Sequence, residues 1–253
     1  MGFGSIRWMN DEKQLGKVGY DPIKDRNSNS IWGSEINTER LDASLKIGYV
    51  FPEIPYQTFG FQSAYSKHDQ DAYYGIRIYE IEHESFYGNL LFNSIIRNTK
   101  NKFKAGLNIT FDNYFETVDR FYFNRIDRSF GGFFEYSYDN LDNFSLVSGI
   151  RADIHNNLGT FLTPRLHLRY LPDPKTILRA SFGSGRKAAN IFAENQTLFG
   201  TNRVISIVEN GGLIYGLNPE KAWNYGISVR QLFNIGSTSG DITADYYLSL
   251  IHI

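Results

Sequence analysis

Runs of about ten residues in which apolar and polar side chains alternate recur along the chain. The clearest run is FKAGLNITFD at 103–112, in which every odd-numbered residue is apolar and every even-numbered residue is polar or glycine. Comparable runs lie at 41–50, 144–153, 164–170 and 223–230, and weaker ones at 57–67, 84–96, 129–138, 176–184 and 241–247. A period of two predicts β-strands, and this length suits strands that cross a membrane at a tilt. The sequence therefore predicts about ten strands.

The connections between these runs alternate in length. Short segments that contain Asn, Asp or Pro supply turn geometry at 52–56, 97–101, 139–143 and 171–175. Longer polar or aromatic segments at 69–83, 113–128 and 186–220 predict loops. Short turns at one end and long loops at the other are typical of outer-membrane barrels. We therefore predict an all-β fold, an antiparallel transmembrane β-barrel, with a soluble β-sandwich as the alternative.

Aromatic residues make up 16% of the chain and collect near strand ends on the short-turn side. The residues concerned are Tyr49, Phe51, Tyr56, Tyr136, Tyr138 and Phe144. Tyrosine favours a membrane–water interface because its ring is apolar while its hydroxyl stays hydrated. We predict an interfacial aromatic band, with packing at the end of a sandwich as the alternative.

Charge and cysteine content narrow the classes of function. The chain has 26 Lys and Arg against 27 Asp and Glu, so nothing indicates a nucleic-acid partner. It has no cysteine, which excludes a disulfide framework, a thiolate metal site and a cysteine nucleophile. No segment approaches the roughly 18 consecutive apolar residues that a membrane helix needs, so crossing a membrane would require a closed barrel. The segment 1–14 lacks the features of a signal peptide, and we expect the chain to be a piece of a longer exported protein.

Several segments resemble the barrels of TonB-dependent receptors. LNPEKAWNYGISVRQLF at 217–233 resembles the segment in which a Pro-Glu pair ends a long extracellular loop and an aromatic–glycine strand re-enters the membrane. TPRLHLRY at 163–170, TILRASFGSGR at 176–186 and KAANIFAEN at 187–195 resemble the preceding hairpin and its loop. INTERLDASLKIGYVFPEIPY at 36–56 has the character of receptors from Bacteroidota. The resemblance covers most of the chain from about residue 36.

The resemblance implies a barrel of about 22 strands that is filled by an N-terminal plug domain. It also implies substrate binding at the extracellular loops and transport driven by an inner-membrane TonB complex. The sequence shows neither plug nor TonB box, and its roughly ten predicted strands are about half of the 22 that the resemblance implies, so we expect an incomplete barrel. In this interpretation 1–35 is a loop and strand remnant and 36–247 is a barrel segment. We expect 248–253 (LSLIHI) to be a translated sequencing adapter, with a plain strand continuation as the alternative that the encoding DNA would decide.

No motif for catalysis or metal binding stands out. The sequence Gly183-Ser184-Gly185 lacks the residues that flank a nucleophile elbow. The five histidines form no i, i+2 or i, i+4 pair, and we interpret the polar segment around His68 and His83 as a solvated loop. We therefore predict no enzyme, no cofactor and no metal site.

Two groups of residues are candidates for binding. The first is a basic stripe on the inward face of three neighbouring strands, which we expect to contact the plug or, near the outer rim, the substrate. It consists of Arg151, Arg165, His167, Arg169 and Arg179. The second group consists of rim candidates for substrate binding, namely Arg186, Glu194, Tyr114 and Tyr122. The alternatives are that Arg186 and Glu194 brace the long loop and that the aromatic residues pack the loop on itself.

Three hypotheses for function follow. The first is an active importer in the outer membrane of a Gram-negative cell, which takes up an iron chelate, cobalamin or an oligosaccharide. Its partners would be membrane lipid, its own plug and the TonB complex. The second is a passive porin-like channel, whose complete gene would encode neither plug nor TonB box. The third is a soluble β-sandwich adhesin or binding module, which would fold in water without detergent.

Overall fold

Alternating side chains lie on opposite faces of a single antiparallel sheet in the computed structural model, which describes residues 1–28, 30–201, 203, 205–207 and 211–252. The strands are β1 (Gly2–Gly16), β2 (Gly33–Val50), β3 (Thr58–Tyr74), β4 (Arg77–Ile96), β5 (Asn98–Val118), β6 (Phe121–Tyr122), β7 (Arg125–Asp139), β8 (Phe144–His155), β9 (Gly159–Asp173), β10 (Thr176–Lys187), β11 (Glu220–Ile235) and β12 (Thr238–His252). A four-residue helix α1 (Ile191–Glu194) and a 3-10 helix (Gln196–Gly200) lie between β10 and β11. Neither helix is long and apolar enough to cross a membrane.

The strands follow one another around the sheet in chain order. The order is β1-β2-β3-β4-β5-β7-β8-β9-β10-β11-β12, and the two-residue β6 pairs with β5. Within the described residues, β1 and β12 have one neighbour each, so the sheet is open along two edges. The predicted all-β antiparallel fold is confirmed, with twelve strands where about ten were expected.

The strand register separates an apolar face from a polar face. Leu107 lies opposite Leu90 and Gly132, whereas its neighbour Asn108 lies opposite Asn89 and Gly131. Leu107 is 49% exposed, and the same face carries large exposed apolar side chains on β1 to β5, β7 to β9, β11 and β12. A contiguous apolar surface of this size fits lipid and not water. We call it the outer face and the opposite one the lumen face.

An aromatic row crosses the outer face near the short turns. Ring centroids lie 6.2 Å apart for Phe51 and Phe59, 5.0 Å for Phe59 and Phe92, and 5.8 Å for Phe92 and Phe103. The row continues from Phe103 to Phe134 at 5.9 Å. The ring pairs of this row are tilted, edge-on or stacked, and placement of the aromatic residues at a membrane–water interface stays a prediction.

Two of the predicted loops are wrong, because 69–83 and 113–128 consist mainly of strand. The hairpin between β3 and β4 turns at Gly75 and Ile76 alone, with Gly75 at a φ of 63° that favours glycine. Strand β5 is 21 residues long, about twice the length that crossing a membrane needs. Above the membrane both faces of a strand can be polar, so the apolar signal of the outer face disappears there although the strand continues.

The remaining long connections within the described residues are 17–32 and 188–219. We call the second one the strap. Phe192 and Phe199 of the strap pack with Tyr74, Tyr79 and other residues on the lumen face of β3 to β5, and together they form the buried hydrophobic cluster of the molecule. The core therefore lies at the loop end of the sheet, under the strap.

The expected segment boundaries both fall within strands near the two ends of the sheet. The boundary at 35/36 falls inside β2, and the ring of Tyr20 covers Gly16 and Gly33 so closely that neither position has room for a Cβ atom. At the other end, Leu248 to His252 form the end of β12 and pair with β11 as far as Lys221. This pairing does not test the adapter origin of LSLIHI, which stays a prediction.

Candidate functional site

The strap reaches across to the lumen face of β3, β4 and β5 near their loop ends, and polar contacts hold it there. The hydroxyl of Tyr74 donates a hydrogen bond of 3.2 Å to Oε1 of Gln196. Arg77 Nε donates one of 3.1 Å to the carbonyl oxygen of Thr201. Together with the stacked rings of the core, these bonds fix α1 and the 3-10 helix against three strands that are distant in sequence.

A buried carboxylate lies at the centre of this contact. Glu116 on β5 is 1% exposed. Its Oε1 accepts a hydrogen bond of 2.9 Å from the hydroxyl of Tyr79, and its Oε2 accepts one from the hydroxyl of Tyr215 in the strap. A buried carboxylate costs free energy unless its oxygens are hydrogen-bonded. Tyr79 of the sheet thus supplies a donor for Oε1, and docking of the strap supplies the donor for Oε2.

Arg125, the first residue of β7, joins the strap to a column of side chains on the lumen face. Its Nη1 donates to the hydroxyl of Tyr215 at 3.0 Å, and its Nε donates to Oδ2 of Asp127 at 3.1 Å. The guanidinium lies 3.9 Å from the ring centroid of Tyr114, a cation–π distance. Tyr114 stacks in turn on His83, with centroids 4.1 Å apart.

Tyr79, Tyr114 and Tyr215 lie more than about ten residues from the short turns and hence outside the membrane-crossing segments. Burial raises the pKa of Tyr79 and of Tyr215, and the neighbouring Glu116 raises both further. Burial, with the nearby Asp112 carboxylate, raises the pKa of Tyr114 to about 12. All three hydroxyls are protonated at neutral pH, and those of Tyr79 and Tyr215 donate hydrogen bonds to Glu116.

An open cavity of about 800 Å³, which we call the outer cavity, lies between the strap and the connection from β5 to β7. Its walls combine aromatic rings, apolar strap residues and guanidinium groups. They include Phe121, Tyr122, Phe123, Arg77, Arg120, Ile205, Ile207, Leu213 and Tyr215. Arg77 is already paired with Asp119 at 3.0 Å. The cavity can stack planar groups, and it has the volume expected of a small-molecule site.

A second space of about 160 Å³, the inner chamber, lies beneath the strap. Its lining residues are His68, Gln70, Tyr79, Ile81, His83, Tyr114, Glu116, Asn190, Ala193, Gln196 and Tyr215. Tyr215 lines both spaces. Its ring is therefore part of the wall between them.

The structure separates the predicted rim residues. Tyr122 is 74% exposed and lines the outer cavity, and Tyr114 lines the inner chamber from a position in β5 and not in a loop. Arg186 lies with its guanidinium 5.1 Å from the ring of Phe161. Glu194 forms a 2.7 Å salt bridge with Lys187, and this hydrogen bond raises the pKa of that lysine. Arg186 and Glu194 line neither space; the Glu194–Lys187 pair joins the strap to β10, whereas Arg186 contacts Phe161 of β9.

The predicted basic stripe lies on the lumen face of β8, β9 and β10, but two of its members are already neutralised. Arg151 Nε donates to Oδ2 of Asp153 at 2.7 Å, and Arg165 pairs with Glu135. A groove of about 620 Å³ contains the other three, His167, Arg169 and Arg179. Arg169 lies directly opposite Arg179, and within the described residues neither of them forms a salt bridge.

The polar segment around the two histidines is not the solvated loop that we expected. His68 on β3 lies directly opposite His83 on β4, on the lumen face. Asp69 and Glu82, which pair with each other, lie on the outer face. The strand pairing thus divides the histidines from these acidic residues, and no group of three His, Cys, Asp or Glu within the described residues has metal-binding geometry.

Sequence reasoning missed Glu116, Arg125, Gln70 and Tyr215. A usable signal existed for Glu116, because extending the even-numbered polar set of 104–112 along the same strand assigns position 116 to the lumen face. No such signal existed for Tyr215, which reaches Glu116 over a separation of 99 residues.

Comparison with known proteins agrees with this architecture. Residues 3–251 match the family described as "TonB dependent receptor-like, beta-barrel". No curated protein matches the chain.

Solved structures with a similar fold include the alcaligin outer-membrane receptor FauA from Bordetella pertussis, which is 9% identical with a TM-score of 0.59 over 97% of this chain and 40% of that one. The FrpB iron transporter from Neisseria meningitidis is 14% identical with a TM-score of 0.61 over 99% and 43%. The copper transporter OprC is 11% identical with a TM-score of 0.61 over 97% and 45%.

The chain thus spans less than half the length of these structures. The match to the family covers almost the whole chain, from residue 3 to residue 251. Proteins of this family are transporters of the Gram-negative outer membrane and not enzymes. The chain belongs to the TonB-dependent receptor family, and its sheet corresponds to the β-barrel domain of that family.

Proposed function

We propose that the chain is the ligand-capturing wall segment of an outer-membrane TonB-dependent importer. The observation that carries this proposal is the outer cavity, because it lies at the loop end of a barrel of this family and is lined by the strap. A cavity at the mouth of a barrel is a common place for a small ligand. In the proposed orientation the strap faces the cell exterior and the short turns face the periplasm.

Within the three substrates considered above, the cavity favours a metal chelate. Phe121, Tyr122 and Phe123 offer rings for stacking planar groups, and Arg120 carries an exposed positive charge beside them. This lining suits a ligand with planar and anionic parts better than a neutral oligosaccharide. The alcaligin receptor and the iron and copper transporters among the similar structures support the same class.

The proposed partners are membrane lipid, a plug domain and the TonB complex. The exposed apolar outer face supports contact with lipid. His167, Arg169 and Arg179 support contact with a plug, because Arg169 and Arg179 lie directly opposite each other and repel, and among the described residues the groove that holds them contains one carboxylate, Asp245, for the two guanidinium groups.

The experiment is uptake by the full-length receptor in a strain whose other chelate receptors have been deleted. We expect growth on a chelated metal to require both the receptor and a functional TonB complex. Tyr122→Ala should weaken chelate binding, whereas Tyr56→Ala in a short turn should leave it unchanged. Uptake that persists without TonB would support the porin-like channel instead.

A further inference from the structure

The inner chamber contains two hydrogen-bonding groups for which no described residue supplies a partner. Gln70 is 6% exposed, and its Nε2 has no partner within the described part of the chain. Nδ1 of His68, which carries a proton in one of the two neutral tautomers, is also buried without a partner. Both residues line the chamber, and buried polar groups in folded proteins are normally hydrogen-bonded. The chamber therefore presents one amide donor, on Gln70, and one imidazole nitrogen of His68 that donates or accepts according to its tautomer.

The charged groups around the chamber are, in contrast, fully engaged. Both carboxylate oxygens of Glu116 accept hydrogen bonds from tyrosine hydroxyls. Arg125 is bonded to Asp127 and to Tyr215. Nε2 of His83 lies 3.0 Å from Oδ1 of Asp112. A bound ion would therefore find no free countercharge.

The nature of the wall excludes ions of either sign. An anion would approach the Glu116 carboxylate with no uncommitted Arg or Lys in the lining to offset the repulsion. A metal cation would lack ligands, because the described residues hold no group of His, Cys, Asp or Glu with suitable geometry. A neutral group with oxygen acceptors meets neither obstacle.

We propose that the inner chamber is a binding site for a neutral group that carries hydroxyl or carbonyl oxygens, held by Gln70 and His68. The chamber volume of about 160 Å³ is about five times the ~30 Å³ that a water molecule occupies in the liquid, so it admits a small part of a larger ligand. The proposal rests on the proposed import function in one respect only: the larger ligand is the one that the outer cavity captures, and Tyr215 lines both spaces.

Direct binding to the full-length receptor in detergent tests the site without any transport step. Saturation-transfer NMR with glycerol and with acetamide separates the hydroxyl from the carbonyl source, and acetate and ammonium serve as charged probes. We expect glycerol or acetamide to bind and the two ions not to bind. Gln70→Leu keeps the approximate size of the side chain but removes its amide. It should lower the affinity for the neutral probe about fivefold, the effect of one hydrogen bond.

Gln62→Leu is the matched control, because Gln62 lies on the same face of β3 but outside the chamber. It should leave binding unchanged. His68→Leu provides a second test in case Gln70→Leu does not fold, as judged by circular dichroism. Equal binding by wild type and both chamber variants, ions binding as well as neutral probes, or no binding of either neutral probe would each overturn the site. None of these results would affect TonB-dependent uptake, which tests the import function separately.

Discussion

At the scale of single residues, Tyr215 makes both hydrogen bonds and ring contacts between the strap and the sheet. Its hydroxyl donates to Glu116 and accepts from Arg125, and its ring contacts Phe192 at 5.7 Å and Phe123 at 5.4 Å. The residue therefore links the strap to β5 and to β7 at one point. Removing its hydroxyl leaves a buried carboxylate oxygen without a donor.

Tyr215→Phe should weaken docking of the strap by about 1–3 kcal/mol, the cost of an unsatisfied buried polar group. The expected result is faster amide hydrogen exchange and faster proteolysis within residues 188–201. Tyr122→Phe is the matched control, because its ring is 74% exposed. Equal protection of the strap in both variants would show that the hydroxyl is not needed.

Docking of the strap should also depend on alkaline pH. The docked state raises the pKa of Tyr79 and Tyr215, and that of Tyr114 to about 12. Below the usual tyrosine pKa of about 10 the hydroxyls are protonated in both docked and released states, so their contribution is complete. Above it the released state ionises while the docked hydroxyls resist, and docking becomes less favourable as pH rises.

Absorbance of tyrosinate measures this effect. We expect a group of tyrosines in the folded receptor to ionise at a higher pH than in the unfolded protein. Proteolysis of the strap should accelerate as the pH rises above ~10. If every tyrosine of the folded receptor ionised with the pKa it has in the unfolded protein, this result would contradict the buried network around Glu116.

At the scale of elements, the sequence predicted the strand segments that face lipid but missed their continuation into water. The run 103–112 lies in β5 with the expected faces, because hydrocarbon forces the outer positions to be apolar. Beyond it, Asn113 and Phe115 still alternate with Tyr114 and Glu116, but polar and apolar residues occur on both faces. The strand continues through backbone pairing with β4, a non-local interaction that composition does not report.

A pair of substitutions on β5 tests the two faces. Leu107→Arg places a charge on the outer face and should destabilise the barrel by about 2–4 kcal/mol if the position lies near the bilayer midplane. Thr110→Arg places the same side chain on the lumen face, where water can hydrate it, and should be much milder. Urea unfolding in lipid vesicles measures both, and equal losses would contradict the assignment of the faces.

At the scale of the whole molecule, the site depends on contacts that no local pattern contains. Arg77 bonds Thr201 across 124 residues and Tyr74 bonds Gln196 across 122. The alternating strands fix which residues face the lumen, but the curvature of the sheet decides which of them the strap reaches. For this reason the fold class and the lumen face could be predicted from sequence, whereas the outer cavity and inner chamber could not.

The open sheet gives a prediction for the 253-residue chain expressed alone. Strands β1 and β12 each present an edge of unpaired backbone groups within the described residues, and such edges associate with other strands. We expect this polypeptide to form oligomers or aggregates in detergent, whereas the full-length receptor should be monodisperse. Light scattering after size-exclusion chromatography compares them, and a stable monomer of the short chain would contradict the open architecture.

The strand extensions beyond the membrane also make this receptor convenient to label. Asp71 lies on the outer face of β3 near the tip of the hairpin, while its neighbours Gln70 and Ala72 are buried on the lumen face. The chain contains no cysteine, so a single Asp71→Cys would be the only thiol that this segment contributes. A maleimide dye at that position could report the orientation of the receptor on living cells while the lumen side of the wall stays chemically untouched.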